Sequence, residues 1–150
     1  MVLLNSDGEN TFIVPGGSTP YLFYKYIADN VTDWTGVTLI PSDERLVDET
    51  SAESNIGMIR KNLMQRIGIK DMPTLFSLFD GNYKHKFNQV LPSLNSRVKN
   101  LMPPKAVFLG IGTDGHTASL FPGEEKNCCI EKPLFFVDRA SELFQRVSVS

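Results

Sequence analysis

Three short polar clusters in this chain hold the residue types from which a reaction could be built. In Gly110-Ile111-Gly112-Thr113-Asp114-Gly115-His116, a histidine follows glycines and an acid. Histidine is the side chain whose unperturbed pKa lies nearest working pH, which suits it to proton transfer, and Asp114 stands close enough in sequence to orient it. In Pro41-Ser42-Asp43-Glu44-Arg45, Asp43 is an acid able to handle protons or hold a hydroxyl. Arg45 brings a guanidinium fit for bidentate binding of phosphate or carboxylate. Glu44, between them, should point elsewhere. In Pro15-Gly16-Gly17-Ser18-Thr19-Pro20, flexible backbone and two hydroxyls precede a helix start, where free amides and the positive dipole end favour an anion. This loop is neither a GxGxxG fingerprint nor a Walker A loop, since it lacks the spacing of one and the Gly-Lys-Ser/Thr of the other.

Taken singly, each cluster has a plainer reading: a strand-to-helix turn, a surface ion pair, a structural histidine. Their positions along the chain argue for more. Thr11-Phe12-Ile13-Val14, Val37-Thr38-Leu39-Ile40 and Ala106-Val107-Phe108-Leu109 read as buried strands, and each runs straight into one of the clusters. Ligands of parallel α/β sheets bind beyond the carboxyl ends of strands, so the three clusters are expected to share one pocket.

Between the strands lie helical patterns. Ser18, Thr19 and Pro20 offer cap candidates and a first-turn proline for a helix running to about Asn30. From Ser54, Ile56, Ile59, Leu63 and Ile67 recur at helical spacing up to Gly68. Tyr83, Phe87, Val90, Leu91, Leu94, Val98 and Leu101 form another stripe, in which Pro92 should kink or divide the helix and after which Pro103-Pro104 ends it. Pro133–Val137 and Val147–Ser150 read as further strands. The class is α/β, and we expect a three-layer αβα arrangement around a mostly parallel, Rossmann-like sheet.

Composition excludes several classes. The 150 residues, 41% hydrophobic and 21% charged with ten Phe and four Tyr, suit one globular domain rather than two or a disordered chain. A net charge of −2 provides no positive field for nucleic acid. No apolar run approaches the roughly 20 residues of a membrane span, and Met1 to Asn10 lacks a basic n-region and a long apolar h-region, so we expect a cytoplasmic protein. The adjacent Cys128 and Cys129 make a mutual bridge strained and exclude a CxxC site, so both are expected to be reduced thiols. His85 is far in sequence from His116 and completes no metal set, so no metal is expected.

The clusters together resemble a known family. Pro15-Gly16-Gly17-Ser18-Thr19-Pro20, then Ser42-Asp43-Glu44-Arg45 with Val47 and Ser54-Asn55, then Gly110 through His116 and on through Thr117-Ala118-Ser119-Leu120-Phe121-Pro122-Gly123, are similar in order and spacing to the 6-phosphogluconolactonases. Those enzymes lie within the glucosamine/galactosamine-6-phosphate isomerase superfamily. The resemblance covers about residues 13 to 123. Related glucosamine-6-phosphate deaminases share the fold and a Gly-Ser-Thr loop. They typically carry Asp-Glu-Tyr where this chain has Asp43-Glu44-Arg45, and Ile-Ala-Phe-Asn-Glu where it has Thr117-Ala118-Ser119-Leu120-Phe121.

What the resemblance implies is hydrolysis of a small phosphosugar lactone, 6-phosphoglucono-δ-lactone, without metal or organic cofactor. It makes His116 the general base that activates water and Asp114 its partner. Gly16, Gly17, Ser18 and Thr19 would hold phosphate, Arg45 would neutralise anionic charge, and Asp43, at the family's acidic position, is counted with the catalytic set. A deaminase-like enzyme and a non-catalytic phosphosugar-binding fragment remain as alternatives.

Two departures set further expectations. Family members usually have a longer segment before the first strand, and they continue past the strand that Arg146-Val147-Ser148-Val149-Ser150 resembles to a helix bearing a substrate-contacting lysine. Ala140–Gln145 also differs from the proline-rich stretch common before that arginine. Residues 1–150 are therefore expected to be a single truncated domain, incomplete at both ends. Such a domain would be marginally stable, prone to self-association through uncovered sheet edges, and weak or inactive in catalysis.

Overall fold

The computed structural model describes residues 10–68, 72–79, 81, 86–124, 131–139 and 143–150; Tyr83, His85, Cys128 and Cys129 lie outside them. The elements are β1 (Asn10–Val14), α1 (Tyr21–Asn30), β2 (Val37–Pro41), β3 (Asp43–Arg45), α2 (Asn55–Ile59), β4 (Thr74–Leu75), α3 (Phe87–Lys99), β5 (Ala106–Val107), β6 (Leu134–Val137) and β7 (Arg146–Val149).

The larger sheet is parallel throughout, in the order β4-β2-β1-β5. Alternation along its strands divides the core in two. Val14, Val37 and Leu39 pack with Tyr24 of α1, with Trp34, and with Ile59 and Leu63 from the α2 region. Ile13 and Ile40 pack on the opposite face with Phe87, Leu94 and Val98 of α3. Helices thus cover both faces, as a parallel sheet requires.

A second, antiparallel sheet in the order β3-β7-β6 packs into the α3 side through Leu134, Val147 and Val149. The sequence reading did not anticipate it. Asp43-Glu44-Arg45, read as a charged exit from β2, is a strand whose backbone pairs with Ser148, Val147 and Arg146. Its side chains carry no apolar alternation because they are buried by polar partners instead. β4, only two residues long, was likewise missed.

Local details differ in instructive ways. Neither Ser18 nor Thr19 caps α1; Pro20 precedes the helix without a side-chain cap, and its carbonyl accepts from Tyr24 N–H at 2.9 Å. Ser54 does cap α2, its Oγ accepting from Gly57 N–H at 3.0 Å. That helix passes into a π turn over Arg60–Met64, where Gln65 N–H reaches back to Arg60 O. α3 runs undivided through Pro92, and Asn95 clasps β6 by accepting from Leu134 N–H at 2.8 Å and donating to Leu134 O at 3.1 Å. β5 is shorter than expected; Phe108 N–H still bonds Ile13 O, but Phe108 and Leu109 then leave the sheet half-exposed.

Candidate active site

The chain leaves β1 through α1 on one face and arrives at β5 from α3 on the other, so the carboxyl ends of β1 and β5 flank a topological switch point. A cavity of about 560 Å³ opens there. Gly16, Gly17, Ser18, Thr19, Asp43, Arg45 and His116 all line it, which brings the three polar clusters together as expected. Asp114 does not line the cavity and reaches it through His116.

The loop after β5 folds on its own backbone. Gly112 N–H donates to His116 O at 2.8 Å, Gly115 N–H to Gly112 O at 2.9 Å, and Thr117 Oγ to Gly110 O at 2.9 Å. Within it His116 Nδ1 lies 2.5 Å from Asp114 Oδ1. This contact, joined by the His116 backbone N–H, holds the Asp114 carboxyl below the usual carboxylate range. A Cβ on Gly112 would fall 2.4 Å from His116 Nδ1 and 2.7 Å from Asp114 Oδ1, so only glycine lets the pair close. The Phe121 ring packs beside the imidazole, with the two centroids 5.0 Å apart.

Opposite stands a connected polar group. Asp43, 5% exposed, accepts from Asn55 Nδ2 at 3.0 Å and from Ser119 Oγ at 2.7 Å, and its Oδ2 is 3.5 Å from Arg146 Nη1. Arg45 Nη1 donates to Asn55 Oδ1 at 2.8 Å and to Glu53 O at 3.2 Å. Gly17 N–H also donates to Asn55 Oδ1, at 3.1 Å, so that amide faces protein and not the cavity. Glu44 does point elsewhere, as its alternation in β3 requires. Its carboxylate accepts from the N–H groups of Asn55 and Ile56 at 2.9 and 2.7 Å, from Arg45 N–H at 2.8 Å and from Ser54 Oγ at 3.1 Å, satisfying the start of α2. The Tyr24 hydroxyl, buried and driven well above its ordinary pKa by that burial, donates to Pro15 O at 2.6 Å and fixes the root of the first loop.

Sequence reasoning left Asn55, Ser119, Gly112 and Arg146 without roles. Asn55 and Ser119 lie inside the quoted motifs, so the signal was present but its meaning was spatial. Arg146 lines the cavity from β7, a partner strand that only the fold brings beside Asp43.

Fold and site together define an α/β protein with a histidine–carboxylate pair beside an arginine-lined cavity at the switch point. The family model described as glucosamine-6-phosphate isomerases/6-phosphogluconolactonase matches residues 2–150, and the chain belongs to that family. It is 34% identical over 116 residues to the 6-phosphogluconolactonase of Xylella fastidiosa strain Temecula1, covering 77% of this chain and 46% of the relative. Against the Pseudomonas aeruginosa 6-phosphogluconolactonase the identity is 32% over 122 residues, covering 79% and 49%. The chain thus spans about half the length of the curated relatives it matches. The crystal structure of a Shewanella baltica 6-phosphogluconolactonase superposes with a TM-score of 0.79 at 24% identity, covering 97% of this chain and 62% of that one, and shows the same fold.

Proposed function

We propose that this chain hydrolyses 6-phosphoglucono-δ-lactone to 6-phosphogluconate, the second step of the oxidative pentose phosphate pathway, in the cytoplasm. The observation that carries the reading is the His116–Asp114 pair opening onto the same cavity as Arg45 and the Ser18–Thr19 turn. A proton acceptor and an anion site then face one phosphosugar-sized space. The relatives' names support the choice of substrate.

In this scheme Asp114 accepts from His116 Nδ1–H and leaves Nε2 as the base. Nε2 takes a proton from water as the water oxygen bonds to the lactone carbonyl carbon, whose oxygen becomes an oxyanion. When that carbonyl re-forms, the bond from carbon to the ring oxygen breaks, and the imidazolium gives its proton to the departing oxygen. The carboxylic acid so formed loses its proton to solvent. Ser18, Thr19 and Arg45 hold the phosphate, and Arg146 adds positive charge on the cavity wall. Asp43, with both oxygens engaged, acts as an anchor for Arg146 and Ser119 and not as a proton carrier. Neither a metal nor an organic cofactor takes part.

The test is lactone hydrolysis by the wild type and His116→Ala, with spontaneous opening subtracted and 6-phosphogluconate titrated into both. The variant should lose about 10²–10⁴-fold of the enzymatic rate, the usual contribution of a general base, while still binding product. Binding by the wild type without turnover would make the chain a phosphosugar-binding protein instead, and a fully active variant would remove His116 from its role.

A further inference from the structure

Asn55 is 2% exposed, and every polar position of its carboxamide is occupied by protein. The oxygen accepts from Gly17 N–H at 3.1 Å and from Arg45 Nη1 at 2.8 Å. The nitrogen donates to Asp43 O at 2.8 Å and to Asp43 Oδ1 at 3.0 Å. An amide offers two donor and two acceptor positions, so Asn55, although it lines the cavity, has no hydrogen-bonding position left for a ligand. Yet the elements it joins, the loop after β1 and strand β3, are those that bear the anion-binding groups. The start of α2, where Asn55 sits, is not itself an anion site, because Glu44 and Ser54 already occupy its amides.

We infer that Asn55 is the positioning residue of the anion end of the cavity, locking the loop after β1 to the Arg45 guanidinium before the phosphate of the substrate arrives. The inference rests on the proposed reading of the site as one for a phosphorylated lactone. Because Gly17 N–H and Arg45 Nη1 converge on one oxygen, loop and guanidinium are held at a fixed separation. Gly17, at φ +80°, gains from this contact its one hydrogen-bonded anchor among the described residues, and Gly16 packs so closely that a Cβ there would fall 2.1 Å from Asn55 Cγ. The ligand is left the Ser18 and Thr19 groups and the part of the Arg45 guanidinium that lines the cavity. Without Asn55, binding would have to order both the loop and the arginine, and affinity would fall while the His116 end stayed intact.

The experiment compares wild type, Asn55→Ala, Gly16→Ala, Arg45→Met and the Asn55→Ala/Arg45→Met double variant, all in the 150-residue chain with thermal melts recorded. Gly16→Ala pushes on the same contact from the other side and keeps the carboxamide. For both Asn55→Ala and Gly16→Ala the KM for lactone should rise about 10–100-fold, as expected when a hydrogen bond to a charged group is lost, with kcat changed far less. In the Arg45→Met background, Asn55→Ala should cost much less than it does alone, since its chief client is gone. Additive effects, or a fall in kcat at unchanged KM, would overturn the proposal. On the wild type, titration with inorganic phosphate should move the Ser18 and Thr19 amide resonances and leave Gly17 nearly still; a Gly17 shift as large as theirs would also overturn it. These phosphate arms stand even if the wild type shows no lactone turnover, an outcome that would sink only the reaction. Turnover with an Asn55-independent KM would sink only the positioning role.

Discussion

Ser119 Oγ donates a 2.7 Å hydrogen bond to Asp43 Oδ2 across 76 residues of chain, tying the loop that carries His116 to the strand that carries Arg45. Ser119 N–H extends the tie to Ser148 Oγ on β7 at 3.1 Å. Ala118, beside it, sits at φ 50°, a left-handed conformation that a non-glycine residue holds only when its surroundings enforce it. Asp43→Ala would remove the acceptor for Ser119 and Asn55 and the carboxylate facing the nearly buried Arg146. Breaking such a group from one side typically costs about 3–5 kcal/mol. The urea midpoint should fall accordingly, and a variant as stable as wild type would show that the anchor is not needed.

Gly112→Ala is expected to act on catalysis more than on folding. The added methyl would lie 2.4 Å from His116 Nδ1, in an exposed loop, so the imidazole must swing away from Asp114 and the chain can otherwise stay as it is. Lactone hydrolysis should fall by at least about tenfold, toward the level of a mispositioned base, while 6-phosphogluconate still binds. Unchanged kcat would mean the Asp114 contact does not set the active geometry.

The parallel sheet and the shared cavity were legible because each buried strand ends in a polar cluster, and ligands gather where parallel strands end. The antiparallel sheet was not, because Asp43-Glu44-Arg45 lacks the alternation that marks a half-buried strand. Its burial rests on hydrogen bonds from Asn55, Ser54 and Ser119, contacts between residues distant in sequence. The same applies to Asn55: its place beside Ser54 looked like the first turn of a helix, and nothing in local spacing shows that its side chain turns back to Gly17 and Arg45. Gly112 illustrates the converse. The sequence marks it as a turn glycine, but the need for glycine there comes from the neighbouring ring and not from its own φ, which lies outside the left-handed region.

Two chemistries share this family, and the cavity should distinguish them. Arg45, its Nη1 fixed to Asn55 and Glu53, stands where related deaminases typically have tyrosine, and Thr117-Ala118-Ser119 form a closed turn in which Thr117 and Leu120 exchange backbone hydrogen bonds of 3.2 and 2.8 Å. That turn commits Ser119 to Asp43. Glucosamine 6-phosphate should therefore yield no ammonia at concentrations where lactone is hydrolysed. Release at a comparable rate would transfer the site to the deaminase side of the family.

Glu44 provides a test of the fold by pH. The residue is 1% exposed, and burial pushes its pKa above the ordinary value, while hydrogen bonds from Ile56, Asn55, Arg45 and Ser54 pull it back only in part. The unfolded chain releases this proton at the ordinary glutamate value, and the native chain releases it only at the higher one. Between the two the native state binds more protons, so this contribution to stability is complete below the ordinary value and is lost as pH rises through the raised one. Glu44→Gln abolishes the titration and also sets an amide N–H₂ against backbone donors at the start of α2, at a cost of about 1–3 kcal/mol. Urea unfolding of wild type and variant at a series of pH values should show a gap that is widest at the acid end of the window and narrows as pH rises across it. A gap that widens with pH instead would mean that the four donors outweigh burial and that Glu44 is held as a carboxylate, fastening β3 to α2 most firmly when ionised.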